Sequence, residues 1–202
     1  PGAAPLLSSN TAFRMQSCRY LHANGIVHRD IKLENFIFTN SEHDATLKLI
    51  DFGLSHVYPR LADKVTIDRS TKLRDVCGSK SYAAPEVLGA KGYDGFAADM
   101  WSIGVCLVAM LSGFSPLDEA SRNDWRYPKL EEAQARGRST TVAVYGWYKR
   151  SAKHLTPEVV DLLDRLLSID PSKRMTMEDV REHPWVSGSK FGGAGIADQG
   201  SY

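Results

Sequence analysis

Between Phe96 and Leu111 the sequence is apolar on almost every side of a helix, interrupted by one charge, Asp99, and one hydroxyl, Ser102. A helix without a polar face cannot lie on a protein surface and has to be surrounded. Its most apolar part, Met100–Leu111, is shorter than the roughly 20 residues that a bilayer span requires. The segment therefore reads as a core helix, ended by Ser112-Gly113. The rest of the chain must turn apolar faces toward it, and 202 residues suffice for one compact domain or slightly more.

Several partners for that helix can be read locally. Thr156-Pro157-Glu158 is a strong helix start: a capping hydroxyl, proline in the first turn, then an acid at the positive end. Val159, Leu162, Leu163, Leu166 and Leu167 follow at helical spacing. Thr176 and Asp179 have the spacing of a second cap. A rougher apolar face, Phe13, Cys18, Tyr20 and Leu21, predicts a helix over Thr11–Ala23, closed by Asn24-Gly25. Phe36–Thr39 and Thr46–Ile50 read as two short strands joined by the polar turn Asn40–Asp44. Residues 54–81 are polar with little period and predict a long surface loop. Residues 118–154 predict one or two helices without clear bounds. Residues 1–9 read as a loop, and the Gly/Ser-rich stretch 187–202 as a disordered tail.

Composition narrows the function. Hydrophobic content of 43% and charged content of 24% are ordinary for a soluble globular protein. A net charge of +1 gives no reason to expect nucleic acid or an anionic membrane as the main partner. Cys18, Cys77 and Cys106 are widely spaced and odd in number, which points to free thiols in a reducing compartment. No basic stretch followed by an apolar core opens the chain. The expected location is intracellular, cytoplasmic or nuclear. The first residue is Pro1, so the chain reads as part of a longer protein. Trp101, Trp125, Trp147 and Trp185 read as core or surface anchors, and Arg136, Arg138, Lys149 and Arg150 as a solvated face.

The chemistry concentrates at the two ends of the strand pair. His28-Arg29-Asp30-Ile31-Lys32-Leu33-Glu34-Asn35 precedes the first strand, and Asp51-Phe52-Gly53 follows the second. In an antiparallel hairpin the start of one strand lies beside the end of the other. Asn35 and Asp51 then become neighbours, with Asp30 in the loop just before them. Hard oxygen donors that leave room for phosphate oxygens suit Mg²⁺, and phosphoryl transfer asks a protein mainly for positioning and charge neutralisation.

These segments, with Ala84-Pro85-Glu86 after them in the same order, resemble the signature set of eukaryotic serine/threonine protein kinases. The resemblance covers roughly residues 10–186. The finer pattern, Cys77-Gly78-Ser79, Tyr82-Ala83-Ala84-Pro85-Glu86 and His183-Pro184-Trp185, is most similar to the calmodulin-dependent and AMP-activated group. It implies a mainly α fold, the C-terminal lobe of the α+β kinase fold. That lobe is a helical bundle around the buried central helix, with a small β-hairpin at the cleft. It also implies ATP and Mg²⁺ as cofactors and protein substrates bearing serine or threonine.

The resemblance assigns roles by position. Asp30 would accept or orient the substrate hydroxyl proton, and Lys32 would meet the γ-phosphate. Asn35 and Asp51 would hold Mg²⁺, and Ile37 would lie beneath the adenine. Ser79 would bridge to Asp30 and Lys32. Glu34 resembles an acid that receives a substrate arginine, so substrates are expected to be basic. His28 would be a packed spine residue with Phe52. Asp99 would hold the His-Arg-Asp backbone. Glu86 and Arg174 would form a buried ion pair. Asp75 stands where the family carries a phosphorylated Thr or Ser that pairs with an arginine such as Arg29; a fixed carboxylate there could partly replace the phosphate. Thr66, Ser70 and Thr71 are alternative phosphorylation sites.

Two family features are absent from the sequence. No Gly-x-Gly-x-x-Gly precedes His28, and there is no room for the small β-rich lobe with its strand lysine and helix glutamate. The chain by itself is expected to bind ATP poorly and to turn over little or not at all. A docking or scaffold module, or a pseudokinase lobe, is the competing class. The complete set Asp30, Lys32, Asn35 and Asp51 argues against it. A small-molecule kinase of related fold should lack Ala84-Pro85-Glu86 and Arg174. The tail carries no basic amphipathic helix of the sort calmodulin binds.

Overall fold

The computed structural model describes residues 16–39 and 47–187. The expected N-terminal loop, the first turn of the Thr11–Ala23 helix, the turn at 40–44 and the tail beyond Ser187 lie outside the described residues. Helix α1 (16–23) leads through Gly25, whose φ of 74° suits glycine, into strand β1 (Ile26–Val27). A 3₁₀ turn at Leu33–Asn35 opens strand β2 (Phe36–Phe38), which pairs antiparallel with β3 (Leu47–Leu49). The register sets Phe36 opposite Leu49 and Phe38 opposite Leu47. This is the expected hairpin, one residue shorter at the end of each strand, with Thr46 outside the described residues.

Strand β4 (His56–Val57) pairs with β1, setting Ile26 opposite Val57 and Val27 opposite His56. Two residues on each side are too few for alternation to show in sequence. Bridges between Arg60 and Ile67 and between Leu73 and Tyr93 further tie down the segment that reads as a free loop. A short helix α2 (Pro85–Leu88) follows.

Helix α3 (Gly95–Ser112) is the central post. It begins one residue earlier than its apolar run because the Asp94 carboxylate accepts from Phe96 N, and Gly113 closes it with a left-handed φ of 78°. Residues from Ala98 to Val108 are buried without a break. Helix α6 (Pro157–Leu166) packs across it at Gly104. A Cβ at Gly104 would come within 3.0 Å of both Leu166 Cβ and Leu167 Cδ2, so the glycine sets how closely the two helices approach. The inward stripe of α6, Val159, Leu162, Leu163 and Leu166, is buried, as its spacing predicts. Thr156 caps it from Val159 N, and Thr176 and Asp179 form a reciprocal capping box at the start of α7 (Met177–Glu182), followed by α8 (Pro184–Ser187).

The irregular stretch contains two helices, α4 (Arg126–Ala135) and α5 (Thr140–Trp147). The α4 N-cap, Trp125, makes no side-chain cap; Asp124 does the work from one residue further out. Its carboxylate accepts from Arg126 N (2.9 Å), from the Arg126 guanidinium (2.8 and 2.7 Å) and from Asp118 N (2.7 Å). Burial works against that charge, but these donors outweigh it and bring the Asp124 carboxyl down to about 2. Asp124 and Arg126 are only two residues apart, so this cap is local.

Candidate active site

The loop from His28 to Asn35 is fastened to the core helix by a single carboxylate. Asp99 accepts from His28 N at 2.8 Å, from Arg29 N at 2.9 Å and from His22 Nε2 at 3.0 Å. Arg29 between them has φ 66°, a left-handed backbone that a non-glycine residue adopts at a cost. Two consecutive amides held by one buried acid are what keep it there. His28 is fully buried, lies edge-on to Phe52 at 5.1 Å and bonds Ile50 O through Nε2 at 3.0 Å. Its Nδ1 accepts from Asp30 N at 3.3 Å, so Nε2 carries the proton. The ring is thus a strut between the loop and the strand end.

Within that frame four side chains meet. Lys32 Nζ donates to Asp30 Oδ2 at 2.7 Å and to Ser79 Oγ at 3.1 Å. Ser79 N donates to Asp30 Oδ1 at 2.8 Å. Asn35 Nδ2 donates to Asp30 O at 2.8 Å and reaches Asp30 Oδ2 at 3.4 Å. That orientation turns the Asn35 amide oxygen away from the loop. Gly78 makes the approach of Ser79 possible: its φ is 87°, and a Cβ there would sit 2.5 Å from Arg29 O.

The electrostatics follow the contacts. Burial raises the Asp30 carboxyl, but the bonds from Lys32 and Ser79 outweigh it and hold it below the usual carboxylate range. The Asp30 bond holds the Lys32 ammonium above its usual range despite some burial, and the charges of Glu34 and Asp51 add to it. A carboxylate lowered in this way is a weak base. It suits accepting a hydrogen bond and fixing a hydroxyl's direction better than removing a proton early.

Asp51 joins the group through strand register. Ile50 N donates to Asn35 O at 2.9 Å, so Asp51 emerges beside Asn35. Its φ is 65°, and its exposed carboxylate accepts from Gly53 N at 3.4 Å. Ile37 and Glu34 stand outside the hydrogen-bonded cluster. Ile37 is 44% exposed on β2, and Glu34 is exposed and accepts from the Tyr82 hydroxyl at 3.3 Å.

Two supporting pairs flank the cluster. Arg174 donates both ends of its fork to Glu86, at 2.5 and 3.0 Å, and also donates to Ala97 O at 2.7 Å and Ser168 O at 3.0 Å. Arg29 donates to Asp75 Oδ2 at 3.3 Å and to Leu54 O at 2.5 Å, and Tyr93 OH donates to Asp75 O at 2.9 Å. Sequence reasoning missed His22 and Tyr93. Both act across long stretches of chain, and neither sits in a motif. The Leu73–Tyr93 bridge that delivers Tyr93 has no local signal.

The family profile described as protein kinase domain matches residues 11–186. The chain belongs to the protein kinase family. Kinases similar to it include calcium/calmodulin-dependent protein kinase type IV of Mus musculus, 32% identical over 86% of this chain and 33% of that protein. A calcium/calmodulin-dependent protein kinase, cmkB, of Emericella nidulans is 35% identical over 86% of this chain and 38% of its own length. CBL-interacting protein kinase 31 of Oryza sativa subsp. japonica is 38% identical over 82% of this chain and 32% of its own. The chain therefore spans about a third of these kinase relatives. The protein kinase family generally uses ATP and Mg²⁺.

Proposed function

We propose that this chain forms the catalytic floor of a serine/threonine protein kinase that transfers the γ-phosphate of ATP to hydroxyls of protein substrates. The single observation that carries the reading is the closed network of Asp30, Lys32, Asn35 and Ser79 with Asp51 beside it. In this reading Asp30 accepts a hydrogen bond from the substrate hydroxyl and aims its oxygen. Lys32 meets the transferring phosphoryl group while Ser79 and Asp30 hold its ammonium in place. Asn35 and Asp51 hold Mg²⁺, which when bound neutralises phosphate charge. One amide oxygen and one carboxylate suit an ion that takes few protein ligands and keeps its remaining positions for phosphate and water. Ile37, exposed at the strand edge, offers an apolar surface to the adenine, and Glu34 an acid to a basic substrate residue.

The Gly-rich phosphate loop and the strand lysine that grip ATP are to be supplied by sequence outside these 202 residues, so the chain alone should turn over little. We place the working protein inside the cell, where its three cysteines stay reduced. The test is Asp30→Ala in the full-length protein, read as phosphate incorporation into a serine-containing basic peptide. Phosphotransfer is expected to vanish while the circular dichroism spectrum keeps its folded shape, with a lowered melting temperature from the lost Lys32 and Ser79 bonds. Full activity in that variant would overturn the reading; no activity in the wild type under any substrate would favour a scaffold instead.

A further inference from the structure

A sizeable cavity lies apart from the cluster of Asp30 and Lys32. It encloses about 810 Å³ between α1, the 67–72 stretch, the first turn of α3 and residues 171–178. That volume is in the range of ordinary ligand sites. Its apolar lining comes from Met100, Met175 and Met177, beside a Phe96 ring that the Arg69 guanidinium overlies at 4.3 Å. Thioether side chains adapt to varied shapes, which suits a pocket that receives a side chain.

The rim has the opposite character. Arg19, Arg69, Lys72 and Arg181 stand around it. Arg69 and Lys72 share one acid, Asp94, at 2.6 and 3.9 Å, and Arg181 is satisfied by Glu178 at 2.5 Å. Arg19 has no acidic partner among the described residues. Deeper in, Arg174 and Glu86 neutralise each other. The mouth is therefore short of negative charge by about two, over an apolar floor.

We propose that this cavity docks an acidic protein segment that inserts one bulky apolar side chain between the methionines while its carboxylates meet Arg19 and Lys72. Duplex nucleic acid would present charge without an apolar anchor, and a membrane would need a convex or flat face, whereas this one is concave. The proposal goes beyond phosphotransfer and does not depend on it, because none of the cavity's lining belongs to the Asp30 cluster.

The test uses the full-length protein and a fluorescein-labelled peptide with the core Glu-Asp-Trp-Asp-Glu, followed by fluorescence anisotropy. Saturable binding that weakens with added salt is expected. The double variant Arg19→Glu/Lys72→Glu, at two exposed positions, should weaken it about tenfold with an unchanged melting temperature. Replacing the peptide's tryptophan by alanine should also weaken it at least about tenfold, and the Gln-Asn-Trp-Asn-Gln peptide should bind more weakly than the acidic one. Equal binding to the doubly reversed protein, equal binding of the amide peptide or of the alanine peptide, or no saturation at all would each overturn the proposal. So would capture by anionic vesicles with none by the peptide.

Discussion

Removing the Arg174 guanidinium should be among the most damaging single changes outside the reacting groups. Its side chain is 0% exposed and faces a Glu86 carboxylate that is 14% exposed. It also donates to three main-chain carbonyls, those of Ala97, Ser168 and Ile169, and lies over the Trp101 ring at 5.2 Å. Arg174→Ala leaves a carboxylate stranded in a nearly dry site and three carbonyls without donors. Breaking a buried pair from one side costs about 3–5 kcal/mol. For a chain of this size, at about 2–4 °C per kcal/mol, Tm should fall by roughly 6–20 °C. Arg174→Lys keeps the charge but not the fork, and should fall between wild type and alanine. The double change Glu86→Gln/Arg174→Met should recover most of the loss, because it removes the stranded charge as well. Urea unfolding of the full-length protein, followed by tryptophan fluorescence, reads this directly, since buried Trp101 sits against the guanidinium. A cost for Arg174→Ala below about 1 kcal/mol, the range of an exposed pair, would refute the reasoning.

Other expectations follow from the same contacts. Asp75 is 80% exposed at its side chain and pairs with Arg29 at 3.3 Å; if that pair takes the part of a loop phosphate, Asp75→Ala should lower kcat/KM several-fold in the full-length protein, and an unchanged rate would remove the idea. Tyr145 is 2% exposed, and its hydroxyl is the one buried side-chain polar atom among the described residues without a partner. Tyr145→Phe should therefore raise stability by up to about 1 kcal/mol in urea unfolding, and a loss of stability would reveal a partner for that oxygen. Because the folded Asp30 carboxyl titrates below its unfolded value, its contribution to stability is present above about pH 4 and disappears as pH falls through the folded value. The raised Lys32 ammonium contributes until pH climbs past about 10. The Tm difference between wild type and Asp30→Asn should accordingly stay flat from about pH 5 to 9 and shrink only in acid, as scanning calorimetry extended down to about pH 2 would record.

The readable parts of this fold share a physical property: their information is local. The apolar run from Phe96 to Leu111 declares burial by itself, and the Thr156 and Thr176 caps satisfy helix donors within three residues. The site was legible for a related reason. Asn35 and Asp51 flank one hairpin, whose strand pairing alone brings them together, while Ser79 joins from outside it. What stayed hidden depends on residues that meet only after folding. The β1–β4 ribbon has two residues per strand, Arg126 at the start of α4 donates to the Tyr148 hydroxyl, and Tyr93 reaches Asp75 across a bridge from Leu73. The rear cavity has contributions from five separate stretches of chain, and no window of sequence contains it.

Asp99 belongs to the same helix that fills the middle of the core, yet its carboxylate grips the amides that aim Asp30. The position of the Asp30 carboxylate is thus referenced to the interior of the molecule rather than to its surface. Loosening the interior by even a fraction of an ångström would blur that aim well before it unravelled the chain. A protein built this way loses its trade on warming earlier than it loses its shape.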